Sequence, residues 1–371
     1  MRERYDLTFW QNSASIHQAP LMAALAADGL RVRVVVPNAS NPARRIMGWQ
    51  PPDYGAATIC VTDDLSSIRS LAETARLDHA HVFTGLGSNQ GVSTAFRTLA
   101  SGPRGHLSVM TESWDPRGAR GTLRRVRFTG RALRWRRHVD SVLAMGRLAA
   151  SQFTSAGIPA ERVAQFIYSV SEYDGPTGPE ATDIREVAFV GSLEEHKNPL
   201  LLLQAMSSLD AVRLTLVGSG RLRSEVLQAA SQLGMADCVR VIDRLENTAV
   251  RELVARSDLL VLPSRYDGWG AVTNEALMVG TPAVVSDGAG SSLLVADSDR
   301  GRVFRSGDVS SLTMAVNEEL TVEPASTDRR RRIRDWSRAS ISPQAVASYL
   351  RRFLLDGVRT NPPWLVDKVI G

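Results

Sequence analysis

Cysteine is nearly absent: Cys60 and Cys238 are the only two in 371 residues. Two thiols support neither a disulfide framework nor a thiolate cluster, so the chain reads as a product of a reducing cytoplasm. No apolar run reaches the roughly 20 residues that a membrane-spanning helix needs. Met1-Arg-Glu-Arg-Tyr-Asp6 carries no apolar leader core, and no secretory leader is expected. No cluster of His, Cys and carboxylates has metal-ligand spacing, so no metal is predicted. No RNA- or DNA-binding motif accompanies the basic residues, and nucleic acid is not an expected partner.

What is present is ordinary for a water-soluble protein: 43% hydrophobic and 22% charged residues, with a formal net charge of +5. The length suits two domains of about 150 residues, each with its own core. The excess charge by itself favours phosphates, nucleic acid or an anionic membrane surface. Strand and helix patterns alternate throughout, which implies parallel sheets covered by helices. In the first half the strands are Leu7–Trp10, Arg31–Val36, His81–Thr84, His106–Thr111 and Ser141–Met145, with a helix over Ile16–Asp28 and loop-like residues from Ala39 to Tyr54. In the second half they begin near Val187, Arg213, Val239, Leu259, Pro282 and Arg302. A polar, Gly- and Pro-rich stretch from Ser169 to Asp183 separates the halves. The expected division is residues 1–170, a linker 171–186, a second domain 187–341, and terminal helices 342–371 returning to the first domain.

Ligands of such sheets sit at the carboxyl ends of the strands. In the first half those ends carry Asn12, His17, Gly87 and Glu112. Gly85-x-Gly87-x-x-x-Gly91 has the look of a dinucleotide fingerprint with Glu112 as the ribose acid. It does not follow the first strand, however, and a glycine turn onto a helix is common punctuation.

The richest stretch runs from Leu259 to Asp287. A buried strand ends at Pro263, Gly268 and Gly270 permit close backbone approach, and a helix opens near Ala271 with unpaired N–H groups that suit phosphate. Asp267 and Glu275 bracket that opening, two carboxylates suited to accept hydrogen bonds from sugar hydroxyls. Pro263-Ser264-Arg265-Tyr266-Asp267-Gly268-Trp269-Gly270, Glu275-Ala276 and Gly280-Thr281-Pro282 resemble the donor-site signature of the family 4 retaining glycosyltransferases, P-S-x-x-E-G-F-G-x-x-x-x-E-A-x-x-x-G-x-P. Asp267 stands for the usual Glu and Trp269 for the usual Phe. Val190-Gly-Ser-Leu-Glu-Glu-His-Lys-Asn198 is similar to the family's V-G-R-L-x-x-x-K-G, with Ser192 for Arg and Asn198 for Gly. Leu216-Val-Gly-Ser-Gly-Arg-Leu-Arg223 resembles L-V-G-x-G-P-L-R. The likeness covers the second half well and the first by architecture alone.

The resemblance implies the GT-B fold, two Rossmann-like doubly wound domains facing a cleft. It also implies sugar transfer from a nucleoside diphosphate sugar to an acceptor hydroxyl with retention, without cofactor or metal. Gly191, Ser192, Lys197, Gly218, Gly220, Arg244, Asp267, Gly268, Trp269, Gly270, Ala271 and Glu275 would form the donor side. Lys197 would meet the diphosphate, with Arg223, Arg244 or Arg265 replacing the missing arginine. Asp267 would hold the donor sugar and Glu275 the ribose. Asn12, His17, Gly87 and Glu112 would face a sugar or lipid-linked acceptor. Glu112 stands where the family often has a histidine, and it joins Lys197 and Asp267 as a catalytic candidate. Nucleotide-sugar epimerases and non-catalytic sugar-nucleotide binders remain alternatives on this fold. Asp297-Ser-Asp299 spells the D-x-D of metal-dependent glycosyltransferases but reads better as a surface turn.

Nine arginines and no acid lie between Arg117 and Arg137: Arg117, Arg120, Arg124, Arg125, Arg127, Arg131, Arg134, Arg136 and Arg137. Leu123, Val126, Gly130 and Leu133 recur at helical spacing, which predicts a buried stripe with a basic remainder turned to an anionic membrane or a phosphate-bearing acceptor. A second tract, Arg329 to Arg332 with Arg334 and Arg338, reads as a solvated helix face.

Overall fold

The computed structural model describes residues 4–38, 51–85, 87, 89–176, 178, 184–296, 299–321 and 327–365. Most of the Ala39–Tyr54 loop, parts of the Gly85–Gly91 turn and of the linker, and Asp297 and Ser298 lie outside them. The described residues fall into two compact units, one built from the residues up to Val170 with the segment from Pro343, the other from Ser171–Ser342.

The first unit holds a seven-stranded sheet: β1 (Leu7–Trp10), β2 (Val32–Val36), β3 (Thr58–Val61), β4 (Ala80–Thr84), β5 (His106–Glu112), β6 (Ser141–Met145) and β7 (Val163–Phe166), in the order β3-β2-β1-β4-β5-β6-β7. Every pairing is parallel, with Leu7 opposite both Val32 and Ala80. Strands β1, β2, β4 and β6 are buried along their whole length, as expected where helices cover both faces of a parallel sheet. The apolar runs of the sequence mark these strands well. They do not mark β3 and β7, the two edges.

The helix expected from Ile16 starts at Ala19, where the Ala19 N–H returns to the Ser15 carbonyl and Pro20 occupies the first turn. The helix Pro343–Leu354 packs against it, and Arg351 reaches Asp28 at 2.7 Å. His81, fully buried between Trp10 and Phe83, has its pKa pushed down to about 3 by burial and serves as a neutral core residue.

The arginine segment forms a helix over Gly118–Trp135, but the expected buried stripe faces outward. Leu123 is 60% exposed, Val126 66% and Leu133 46%. Phe128, Ala132 and Trp135 turn inward instead, with Phe128 4.9 Å from Phe153 and Trp135 5.0 Å from Phe96 between ring centroids. The edge-to-face contacts of these two rings with Phe153 and Phe96, together with the buried Ala132, accompany this rotation of the helix.

The second unit holds six parallel strands: β8 (Arg185–Val190), β9 (Val212–Val217), β10 (Val239–Ile242), β11 (Leu259–Leu262), β12 (Ala283–Ser286) and β13 (Gly301–Phe304). Their order is β10-β9-β8-β11-β12-β13, the Rossmann order, which reverses between β8 and β11. The second basic tract is not a solvated face throughout. Arg329 and Arg330 are 7% and 3% exposed. Arg330 donates to the carbonyls of Ala255 and Ser257 and to Thr281, and Arg329 pairs with Glu319 at 2.6 Å. A buried guanidinium needs several acceptors, and the carboxyl end of the helix Asn247–Arg256, with Thr281, supplies them. Arg331 and Arg332 are exposed as expected.

Candidate functional site

Strands β8 and β11 flank the point where the second sheet reverses, and ligands of doubly wound sheets bind at the carboxyl ends of the strands beside such a point. The loop after β8 runs from Gly191 to Asn198. The loop after β11 runs from Pro263 to Ala271. The Arg265 N–H donates to the His196 carbonyl at 2.8 Å and holds the two together.

Across this junction Lys197 Nζ donates to Asp267 Oδ2, with 19% and 15% of the two side chains exposed. Lys197 is placed by a turn in which its N–H returns to the Glu194 carbonyl. Asn198 then takes left-handed backbone (φ 55, ψ 47) before Pro199 opens the next helix. That conformation explains the glycine usual at this position: asparagine is among the few other residues that tolerate it. The chain holds 44 lysines and arginines, and only Lys197 and Lys368 are lysines. A compact, strongly hydrated ammonium thus stands here in a protein that otherwise uses guanidinium.

Asp267 is fixed from the other side. Its N–H donates to the Gly288 carbonyl at 3.0 Å and its carbonyl accepts from Gly290 at 3.1 Å. The Ser291 N–H donates to the Trp269 carbonyl, and Thr273 and Ser291 share a hydroxyl bond of 2.9 Å. This brace, Gly288 to Ser291, was not singled out in the sequence. Its signal was the glycine pair after β12, because a Cβ at Gly288 would sit 2.6 Å from the Arg265 carbonyl oxygen.

Gly270 (φ 91) has Leu262 on one side, 2.5 Å from where a Cβ would stand, and the Asp267 carboxylate 3.5 Å away on another. The helix Val272–Met278 follows. The Thr273 and Glu275 N–H groups return to the Gly270 and Ala271 carbonyls, and the opening turn of such a helix suits an anion.

Glu275 is buried, and desolvation lifts its carboxyl to about 7, with Arg251 opposing the shift. Trp269, by contrast, does not offer its ring. It is 1% exposed and its indole donates to Asn274 at 2.8 Å, so its part in any donor site is backbone and packing. Gly191 lies against Lys197, a Cβ there standing 3.7 Å from Cδ. A Cβ on Gly218 would overlap the Gly191 carbonyl oxygen, and one on Gly220 the Leu193 carbonyl oxygen. Gly218→Ala is therefore expected to destabilise the second unit by about 3 kcal/mol, because backbone has to give way. Urea unfolding followed by tryptophan fluorescence checks this.

Of the cations considered for the place of Ser192, Arg223 bonds Asp243 at 2.5 Å, while Arg244 and Arg265 are exposed. Gly268 and Ala271 complete the loop. Asp299 pairs with Arg332 at 3.0 Å. Among the described residues there is no metal-ligand cluster, and no helix is long and apolar enough to cross a membrane.

In the first unit, Glu112 ends β5 and accepts from the Tyr168 hydroxyl at 2.6 Å, and the Tyr168 ring lies 6.1 Å from His17. Tyr168 thus links two of the residues expected on the acceptor side. It escaped sequence reading because it lies just beyond the unmarked edge strand β7. Asn12 is exposed, its N–H bonded to Thr84 at 2.9 Å. Gly87 (φ 97) has the Arg131 guanidinium where a Cβ would sit, 2.8 Å away. The helix after this turn is capped by Asn89, whose side chain accepts from Val92 at 3.0 Å, so part of the donor set that a dinucleotide phosphate would need is already used.

Comparison with solved structures settles the architecture. An Anabaena protein, HepE, solved in complex with UDP and glucose, superposes with a TM-score of 0.70 at 15% identity over 95% of this chain and 99% of its own. WaaB, a lipopolysaccharide outer core galactosyltransferase, gives 0.69 at 12% identity over 95% and 99%. The fold is GT-B. Within this GT-B chain, residues 177–337 match the family described as glycosyl transferases group 1. A D-inositol 3-phosphate glycosyltransferase of Mycolicibacterium smegmatis is 31% identical over 153 residues, 40% of this chain and 35% of that one. A glycogen synthase of Mycobacterium tuberculosis is 31% identical over 151 residues, 40% and 36%. The matched part thus spans about a third of the length of these relatives, while the family match over residues 177–337 holds Lys197, Asp267 and Glu275.

Proposed function

We propose that the chain is a retaining glycosyltransferase of the group 1 type, moving a sugar from a nucleoside diphosphate sugar to an acceptor hydroxyl. The observation that carries this reading is the meeting of Lys197 and Asp267 at the β8/β11 reversal, beside a glycine loop whose amides precede a short helix and a buried Glu275. The group 1 match over this region supports glycosyl transfer, and the UDP complex of HepE supports a uridine diphosphate sugar as donor.

On this reading the diphosphate takes the Lys197 ammonium from Asp267. Lys197 and the amides near Gly270 then stabilise the charge that grows on the leaving group. Asp267, released, accepts from donor-sugar hydroxyls, and Glu275 accepts from the ribose. These groups neutralise the leaving diphosphate without metal or cofactor. The His17–Tyr168–Glu112 group belongs to the acceptor side, where a sugar or lipid-linked hydroxyl would enter. The setting is cytoplasmic, peripheral at the inner membrane face.

The test is a thermal-shift screen of nucleoside diphosphates followed by donor hydrolysis with and without EDTA. The expected result is stabilisation by one diphosphate and slow release of it from its sugar at a rate EDTA leaves intact. Binding without release would favour a non-catalytic binder, and epimerised donor without any acceptor an epimerase. A strict need for added divalent metal would overturn the metal-independent part.

A further inference from the structure

The outward turn of the helix Gly118–Trp135 leaves an apolar stripe largely exposed among the described residues, with only Leu133 laid in part against Gly157. Leu123, Val126, Gly130 and Leu133 lie on one face, and all four are exposed. Each is followed at once by an arginine: Arg124, Arg127, Arg131 and Arg134. One step along an α-helix turns about 100° around its axis, so the arginines form a second stripe alongside the first. Arg131 is laid against Gly87 and Arg134 over its neighbour Trp135. Among the described residues Arg124, Arg127 and Arg134 form no ion pair, whereas Arg117, at the start of the segment, is held by Asp115 at 2.9 Å. The opposite side of the helix is anchored by Phe128, Ala132 and Trp135, so the exposed face is presented by a fixed element.

An exposed apolar stripe would favour a protein partner, and an arginine stripe alone any polyanion. The two side by side match an anionic lipid surface, which offers an acyl boundary and phosphates in one plane. We propose that this helix docks flat on an anionic bilayer, with Leu123, Val126 and Leu133 entering the acyl boundary and Arg124, Arg127 and Arg134 gripping headgroup phosphates. The proposal deepens the peripheral location given above and rests on that part of the reading alone, not on the chemistry of the second unit.

The experiment compares the wild-type chain with two triple variants, Leu123→Gln/Val126→Gln/Leu133→Gln and Arg124→Ser/Arg127→Ser/Arg134→Ser. Each is sedimented with vesicles of equal parts phosphatidylglycerol and phosphatidylcholine, and with pure phosphatidylcholine. The wild type should sediment with the anionic vesicles and be released by salt, and each variant should bind about tenfold or more weakly. The altered side chains are exposed, so unfolding curves should stay superimposable with the wild type.

Equal sedimentation of all three proteins would overturn the proposal, as would equal binding of the wild type to neutral vesicles. A self-association lost with the leucines, without loss of vesicle binding, would assign the stripe to a second copy and overturn it too. Donor hydrolysis in vesicle-free buffer is the separate readout for the transferase reading. Its failure would leave vesicle binding intact, and vesicle failure would leave hydrolysis intact.

Discussion

Replacing Lys197 by alanine is expected to lower kcat by about 10²-fold or more at saturating donor, since a contact that tightens on a leaving group acts mainly in the transition state. The ammonium already sits at the junction of the β8 and β11 loops, with Asp267 standing where the phosphates would compete for it. Asp267→Asn is the control that separates this role from a merely structural one. If the ion pair only pins the two loops together, both variants should lose stability and turnover in parallel. If Lys197 serves the leaving group, the asparagine variant should lose much less kcat than the alanine variant and show its defect in donor affinity. Lys197→Arg should recover only part of the rate, because a planar fork on a longer stem cannot occupy the position of a compact ammonium. Near-normal kcat in Lys197→Ala, measured by release of nucleoside diphosphate, would transfer the role to Arg223, Arg244 or Arg265.

Glu275 gives the second large effect, and it is one of pH. Its carboxyl titrates near 7 in the folded chain, against an ordinary value of 4.5, because burial disfavours the charged form. The folded state therefore holds a proton that the unfolded state has released between those values, and stability falls as pH rises across that window. Below about 4.5 the contribution is fully present, and above about 7 it is lost, a change of about 3 kcal/mol at 1.36 kcal/mol per unit. Glu275→Gln has no such proton to lose. Urea unfolding should show the variant gaining on the wild type from pH 4.5 to 7, with a constant difference above. A parallel pair of stability curves would show that the carboxylate is solvated after all. The same residue should make wild-type affinity for the nucleoside diphosphate climb through pH 7, as the charged acceptor of ribose hydroxyls forms, while the glutamine variant stays weak and flat. Calorimetry at pH 6 and pH 8 distinguishes the two.

Much of the fold was legible, for a reason visible in the strands themselves. The central strands of each sheet are covered on both faces, so their sequences are unbroken apolar runs such as Leu259–Leu262. Thr58–Val61 and Val163–Phe166 are edge strands, the first almost wholly exposed and the second buried at alternate residues. With one neighbour each, they need no such run, and neither Thr-Ile-Cys-Val nor Val-Ala-Gln-Phe is an unbroken apolar run of the kind that marks the central strands. The glycine loop and the lysine were legible because a phosphate site constrains backbone and charge locally. The Gly288–Ser291 brace and Tyr168 were not, since each acts on a segment distant in sequence. The rotation of the arginine helix was misjudged for a related reason. Periodicity finds two apolar faces there, Leu123/Val126/Leu133 and Phe128/Ala132/Trp135, and only the waiting Phe96 and Phe153 decide which one turns in.

The scarcity of lysine has a practical consequence. Reagents that acylate or reductively alkylate primary amines find only the side chains of Lys197 and Lys368 and the chain's amino terminus. Lys197 donates to a carboxylate and is largely enclosed, so an amine reagent meets it slowly, and an occupant carrying two phosphates would shield it further. Mass spectrometry of a single peptide, the one containing His196-Lys197-Asn198, would then report how full the pocket is, in whatever mixture the protein is kept, against a background almost free of competing amines.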